Sequence, residues 1–350
     1  MTKNKSLKIG IIGTGAIAQT IVSSLQCEAS CEITAILSRH IDTAKKFSQS
    51  YKLNAKCFDN LSQLIEYYHN TKNIDVVYIT PPTAKRYLYT EQLAKNNIPI
   101  ICEKPYISAR QIEDIITNSK APHPFFDATH FVHNIRSQTI QKKILNHDIG
   151  QLQHIDASFF FPFSDTQSTR FDKNLEPMGA FGDLGWYPIR AFTYFIPSHS
   201  PLRSCDVRMR RDNKTDVIIG GSGYLSFDSG PDLTFRFGYD VGCVEQNIKL
   251  CGTKSILYID DFVIPWQNSF IYNDPHKTHE FSVANGYQPY ISQKNHLINN
   301  DPPQHVRLFL YVRDVLLGQK YSISSQKLTD ETILTAKILA HAFQSATIKE

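Results

Sequence analysis

An excess of charge of one sign is missing from this chain. Across 350 residues, 37 Lys and Arg stand against 33 Asp and Glu, a net charge of only +4. No run of five or six basic residues occurs either, which removes the electrostatic footprint expected of a nucleic-acid binder. Long hydrophobic runs are also missing, and no stretch of about 18 apolar residues offers a membrane span. The segment Met1-Thr2-Lys3-Asn4-Lys5-Ser6 leads straight into a strand-like run without the apolar core of a signal peptide. CxxC pairs are absent among the seven cysteines, Cys27, Cys31, Cys57, Cys102, Cys205, Cys243 and Cys251. Their odd number argues against a disulfide frame, and Cys27 with Cys31 lacks a second pair of ligands for a metal. Together these absences point to a cytoplasmic protein without nucleic acid, membrane or metal.

What is present begins at the N-terminus. Strand patterns at Leu7–Ile12, Glu32–Leu37, Val76–Ile79, Ile98–Cys102 and Phe125–Ala128 alternate with helical patterns at Ile17–Leu25, Asp42–Ser50, Ser62–Tyr68, Ala84–Lys95 and Ser108–Ser119. The last helix carries a capping box, with Ser108 at the N-cap and Gln111 three residues on. Such alternation predicts a doubly wound parallel sheet, which binds its ligand beyond the strands' C-terminal ends. Gly13-Thr14-Gly15-Ala16-Ile17-Ala18 lies at the first strand-to-helix turn. There, Gly13 permits a tight turn and Gly15 leaves room for a pyrophosphate. Ala18 is small enough for helix and strand to pack closely, and the helix N-terminus offers its N–H groups to the phosphates. At the end of the second strand, where an NAD-specific domain places an acidic residue, stand Ser38 and Arg39. A carboxylate there would repel a 2′-phosphate, whereas Arg39 can pair with it, so NADP is the expected cofactor, ahead of NAD.

Beyond residue 125 the pattern changes. After a helix near Ser137–Asn146 come strand-like segments at Leu152–Phe161, Cys205–Arg210, Val217–Phe227, Leu233–Tyr239, Val244–Cys251 and Ser255–Ile259. A helix from about Gly185 to Phe195 interrupts them, and two more, Gln304–Leu317 and Asp330–Ile348, close the chain. The expected architecture is therefore an α/β Rossmann domain over 1–125 and an α+β domain over 126–350. The second domain should carry a large open, mainly antiparallel sheet. Asn285–Pro303, rich in Asn, Gln and Pro, reads as a long surface loop.

Two further segments carry chemistry. Cys102-Glu103-Lys104-Pro105 closes the fifth strand, and a charged pair there is costly unless it faces the ligand crevice. Gly179-Ala180-Phe181-Gly182-Asp183-Leu184-Gly185-Trp186-Tyr187 opens the isolated helix, where Asp183 and Tyr187 share a face if the turn is helical. Taken with the glycine turn, these segments resemble the glucose–fructose oxidoreductase / inositol dehydrogenase (Gfo/Idh/MocA) family over nearly the whole chain. The form with Tyr187, where most members have His, looks more like the dimeric dihydrodiol dehydrogenase and glucose–fructose oxidoreductase branch.

The resemblance implies that Lys104 reaches the substrate oxygen and the nicotinamide ribose, with a cis peptide between Lys104 and Pro105. It makes Tyr187 the acid/base and Asp183 a substrate-orienting or relay carboxylate. With Gly13, Thr14, Gly15, Ala16, Ile17, Ser38 and Arg39, it adds Thr80, Pro81, Glu103 and Lys104 to the cofactor-binding set. The implied assembly is a homodimer or a dimer of dimers. The implied reaction is NADP-dependent hydride transfer to or from a secondary alcohol or carbonyl of a sugar-like or cyclic diol substrate. Alternatives with the same fold are a catalytically silent NADP-sensing regulator and a biliverdin-reductase-like enzyme.

Two departures from the family concern the substrate. Thr80-Pro81-Pro82-Thr83-Ala84-Lys85 keeps the Thr-Pro of a Thr-Pro-Asn-x-x-His pattern but loses its Asn and His, and Arg190 stands where a second acid is usual. Arg190, with Arg136 and Arg170, could favour a substrate carboxylate, or each could form a structural ion pair.

Overall fold

The computed structural model describes residues 5–196, 198, 200–318 and 324–349. Its contacts gather the chain into two compact units. The first holds the chain up to Lys104, Arg110–Thr129 and His305–Asp330; the second holds Pro105–Ala109, His130–Gln304 and the chain from Glu331 on.

In the first unit, strands β1 (Leu7–Ile12), β2 (Cys31–Leu37), β3 (Lys56–Phe58), β4 (Val76–Ile79), β5 (Ile100–Cys102) and β6 (Phe125–Asp127) alternate with five helices. These are α1 (Ala16–Leu25), α2 (Ile41–Ser50), α3 (Leu61–Thr71), α4 (Thr83–Lys95) and α5 (Ala109–Asn118). The six-stranded sheet is parallel throughout, in the order β3-β2-β1-β4-β5-β6. Its middle strands are largely buried on both faces, and for that reason β4 reads as an apolar run and β1 as one broken only by Lys8 and Gly10. α1 buries Ala18, Ile21, Val22 and Leu25, a single stripe at helical spacing. The winding direction reverses between β1 and β4, so the crevice expected of a doubly wound sheet opens beyond Ile12 and Ile79. Strand β3 went unseen in the sequence because it is three residues at the sheet edge with one buried side chain.

The second unit begins with a 3₁₀ turn at His130–His133 and α6 (Ile135–Leu145). Then follow β7 (Leu152–Phe160), α7 (Trp186–Phe195), β8 (Leu202–Arg211), β9 (Ile218–Phe227), β10 (Asp232–Gly238), β11 (Ile248–Gly252), β12 (Ile256–Ile259) and β13 (Glu280–Ala284). Also here are α8 (Pro289–Ser292), β14 (Lys294–Leu297) and β15 (Thr347–Lys349), while α9 (Gln304–Leu316) lies almost wholly in the first unit and α10 (Ser325–Ser345) starts in the first and ends in the second. Nine strands form one sheet in the order β14-β13-β12-β11-β7-β10-β9-β8-β15. It is mainly antiparallel, as expected, yet mixed, because β7 runs parallel to β10 and β8 parallel to β15. Along β10, Leu233, Phe235 and Phe237 point into the core, while Thr234 and Arg236 take the opposite face. The rings of Phe235 and Phe237 lie 6.3 and 5.2 Å from that of Phe181.

Three expectations need correction. Asn285–Pro303 is not a plain loop, since it holds α8 and the edge strand β14. The polar run Lys294-Asn295-His296-Leu297 buries nothing that would betray a strand. The closing helix starts at Ser325 and stops at Ser345, leaving Thr347–Lys349 to pair with β8. Nor does a single boundary at 125/126 describe the two units, because His305–Asp330 belongs to the first. There Phe309 meets Tyr78 at 5.4 Å, Tyr311 meets Phe126 at 6.2 Å, and His305 lies 2.9 Å from the Ser24 hydroxyl.

Candidate active site

In the first unit the site residues gather where β1, β2, β4 and β5 end. Gly13 has φ +99°, and a Cβ there would fall 2.5 Å from the Thr80 hydroxyl, so only glycine fits. That hydroxyl donates to the Ile12 carbonyl at 2.9 Å and joins the two strand ends. Gly15 is the N-cap of α1, with open space where a side chain would stand and no acidic residue in the helix's first turn. Thr14 is half-buried, Ala16 exposed and Ile17 half-buried. The N-terminal end of α1 thus presents partial positive charge toward open space, which suits a phosphate. Ser38 is buried, its N–H bonded to the Phe58 carbonyl at 3.1 Å. Arg39 is exposed and has no ion-pair partner among the described residues.

At the end of β5, Glu103 is 6% exposed and accepts the phenolic O–H of Tyr78. Burial pushes its carboxyl up, against the pull of Tyr78, Arg86 and Lys104. Burial, with the charge on Glu103 adding, pushes Tyr78 well above its ordinary value. Arg86 donates from Nε to the Pro81 carbonyl at 2.8 Å and from Nη1 to the Glu103 carbonyl at 2.8 Å. This buried arginine therefore ties the segments that follow β4 and β5, and with them Thr80, Pro81 and the half-buried Lys104. Sequence reasoning missed Arg86. Its signal is an arginine on the buried stripe Thr83, Arg86, Thr90 and Leu93 of α4, where a charge has to find partners. The recorded cis peptide among the described residues is Asp301–Pro302, not Lys104–Pro105.

In the second unit, α7 is preceded by a π-helical turn, Phe181–Gly185, where the sequence suggested an ordinary helix start. Pro105 rests against this turn. A Cβ on Gly182 would stand 2.8 Å from Met178 Cβ and 3.0 Å from Pro105 Cγ, so the close approach requires glycine. Tyr106 packs on Trp186 at 5.4 Å. Asp183, inside the π turn, accepts from Arg170 Nε at 3.0 Å and from the Tyr239 hydroxyl at 2.9 Å, both on Oδ2. Tyr187, in the first turn of α7, is half-buried, with its ring 5.3 Å from Phe159 and 6.4 Å from Phe131.

The three arginines weighed as carboxylate binders separate clearly. Arg136 is 2% exposed, paired with Asp261 at 2.5 Å and donating to the carbonyls of Glu280 and Asp261. Arg190 is fully buried, paired with Glu331 at 3.1 Å. Both are structural ion pairs. Arg170 alone stands with a residue of the candidate site. Among the described residues no group of three or more His, Cys, Asp or Glu is placed to hold a metal, and no helix is long and apolar enough to cross a membrane.

Comparison with known proteins adds a second line of observation. Residues 7–123 match the model of an oxidoreductase family with an NAD-binding Rossmann fold, and residues 137–258 match the GFO/IDH/MocA C-terminal domain. A dTDP-3,4-didehydro-2,6-dideoxy-alpha-D-glucose 3-reductase from Actinomadura kijaniata is 25% identical over 262 residues, 74% of this chain and 76% of the relative. A glucose-6-phosphate 3-dehydrogenase from Bacillus subtilis is 22% identical over 219 residues, 59% of each chain. Among solved structures, KijD10, a 3-ketoreductase from Actinomadura kijaniata in complex with NADP and TDP-benzene, superposes with a TM-score of 0.81. It is 20% identical, and the match covers 98% of this chain and 99% of the other.

Proposed function

The chain belongs to the Gfo/Idh/MocA oxidoreductase family, whose two domain models together cover most of its length, and from that premise we propose an NADP-dependent sugar oxidoreductase. Its reaction interconverts a secondary alcohol and a carbonyl on a sugar-like or cyclic diol substrate. The relatives support this reading, being named as sugar reductases and dehydrogenases, one of them solved with NADP.

The observation that carries the reaction type is Tyr187. Its phenol is half-buried at the start of α7, the ring flanked by Phe159 and Phe131, two residues beyond the π turn that holds Asp183. When bound, the nicotinamide supplies or accepts the hydride. The chain must then move the accompanying proton, because oxidising an alcohol releases one and reducing a carbonyl consumes one. Tyr187 is assigned that proton. A free phenol titrates near 10, too high for an efficient base at neutral pH, and an ammonium favours the ionised form. Lys104 is assigned to supply it and to hold the substrate oxygen. Phosphates of the cofactor fall to Gly13, Thr14, Gly15, Ala16 and Ile17, and its 2′-phosphate to Arg39 with Ser38. Thr80 and Pro81, fastened by Arg86, and Glu103 form the wall beside it.

A panel of keto sugars, sugar nucleotides and polyols, followed by NADPH absorbance, tests the reading. Tyr187→Phe keeps the ring but removes the transferable proton, and it should lower turnover by about 10²–10⁴-fold with NADPH binding retained. Lys104→Met should be comparably crippled, with its residual pH optimum shifted upward. Since the two serve one proton transfer, the double variant should be little worse than either single. Unimpaired turnover in Tyr187→Phe would falsify the assignment, and a wild-type protein inactive on the whole panel would count for the sensor.

A further inference from the structure

The proposed reaction leaves unexplained why Asp183 is gripped from two other parts of the fold. Arg170 lies in a short 3₁₀ turn, Thr169–Phe171, whose start is capped by Ser168 accepting the Arg170 N–H at 3.4 Å. Tyr239 follows the last residue of β10, its own N–H bonded to the Ile219 carbonyl at 2.7 Å. The Arg170 guanidinium covers the face of Phe163 at 4.3 Å, and the Phe163 ring stands edge-on to Tyr239 at 5.1 Å. Stacking on Phe163 sets the plane of the guanidinium. Burial of Tyr239, which is 3% exposed, sets the direction of its phenol. Both donors then converge on the same carboxylate oxygen.

We propose that Arg170 and Tyr239 are positioning residues of the active site, holding Asp183 as an oriented carboxylate that accepts a hydrogen bond from a hydroxyl of the substrate. This rests on the reading of the chain as a sugar oxidoreductase. A hydroxylated ring offers several nearly equivalent positions to a hydride donor, so a fixed acceptor beside the acid/base selects which carbon reacts. An acceptor free to rotate could not.

The charges around the grip agree with it. Burial, reinforced by the charge on Asp183, pushes the Tyr239 phenol well above its ordinary value, so it remains a donor at neutral pH. Burial is the largest influence on Arg170 and pulls it down, yet Asp183, Tyr239 and Glu176 together hold the guanidinium above its ordinary value. Glu176 acts on both groups through its charge in the same direction. Two donors on one carboxylate favour its ionised form.

The test compares Tyr239→Phe, Arg170→Met and Arg170→Lys with the wild type. Loss of one hydrogen bond from a neutral donor to the ionised carboxylate should reduce kcat/KM about tenfold in Tyr239→Phe. Loss of a charged one should reduce it about 10–100-fold in Arg170→Met, with partial rescue in Arg170→Lys. KM should rise more than kcat falls, and the acid limb of the kcat/KM profile should move to higher pH as the carboxylate loses its donors. Variants that lose only thermal stability, or kcat at constant KM with an unmoved acid limb, would overturn the inference. A second measurement needs no turnover: carbon NMR of the Asp183 carboxyl, identified by its loss in Asp183→Asn. Titration at higher pH in Tyr239→Phe and Arg170→Met supports the grip, and an unmoved titration overturns it. Wild-type inactivity on every substrate would count against the proposed function, and the carboxyl titration would then decide this inference alone.

Discussion

Single residues carry the choice of cofactor and part of the acid response. Arg39 stands exposed after β2 with no ion-pair partner among the described residues, so its charge is available to a 2′-phosphate. NADP(H) should therefore bind more tightly than NAD(H). In Arg39→Asp the preference should vanish or invert, a change of about 10–100-fold for a lost charge-assisted contact. Equal dissociation constants in the wild type, measured by fluorescence titration, would refute this. Burial, with the charges on His130 and Arg190 adding, pushes His133 from 6.5 down to about 3. Between those values the unfolded chain binds a proton that the folded chain refuses, so stability falls as pH drops through that window and is unaffected above it. Each pH unit there costs up to about 1.4 kcal/mol. His133→Gln should lose less stability between pH 7 and pH 5 than the wild type in denaturant unfolding; an equal loss would show that His133 is not the group responsible. At this scale, positions fixed by local rules are legible in the sequence: the tight turn at Gly13, an exposed Arg39 after β2, and the charges Glu103 and Lys104 at the end of β5. Arg86 and Tyr239 are not, because their partners depend on folding; Tyr239 and Asp183 are 56 residues apart.

At the level of elements, burial decides what a sequence reveals. β1 and β4 are apolar from end to end or nearly so, and the alternation of strands and helices follows from them directly. β3, β14 and β15 are three or four residues long and lie at or beside sheet edges, where pairing needs no apolar pattern. The π turn escapes for another reason: its i→i+5 pattern is invisible to a search at the helical period, and Asp183 to Tyr187 looks like one α-turn. Pro105 lies close against that turn at Gly182. Gly182→Ala would push a methyl into Met178 and Pro105, costing about 1–3 kcal/mol as overpacking does. Turnover should suffer more than NADPH binding, because the displaced turn carries Asp183. A variant with wild-type melting temperature and kcat would show that the approach is looser than it looks.

For the molecule as a whole, the two units are legible as classes of fold but not as intervals of sequence. Composition changes near residue 125, yet the chain passes between units at Lys104–Pro105, Ala109–Arg110, Thr129–His130, Gln304–His305 and Asp330–Glu331. No pattern within α9 announces that its Phe309 and Tyr311 complete a core laid down by Tyr78 and Phe126. This return has a consequence for synthesis. The Rossmann unit is encoded first, but its last wall leaves the ribosome about 200 residues after Thr129, roughly 10–40 s later at ordinary elongation rates of ~5–20 residues per second. Through that interval the nucleotide half exists in sequence without being finished in space, with apolar surface open to whatever meets it. A nascent chain that stops short of His305 therefore leaves the packing of Phe309 on Tyr78 and of Tyr311 on Phe126 unmade.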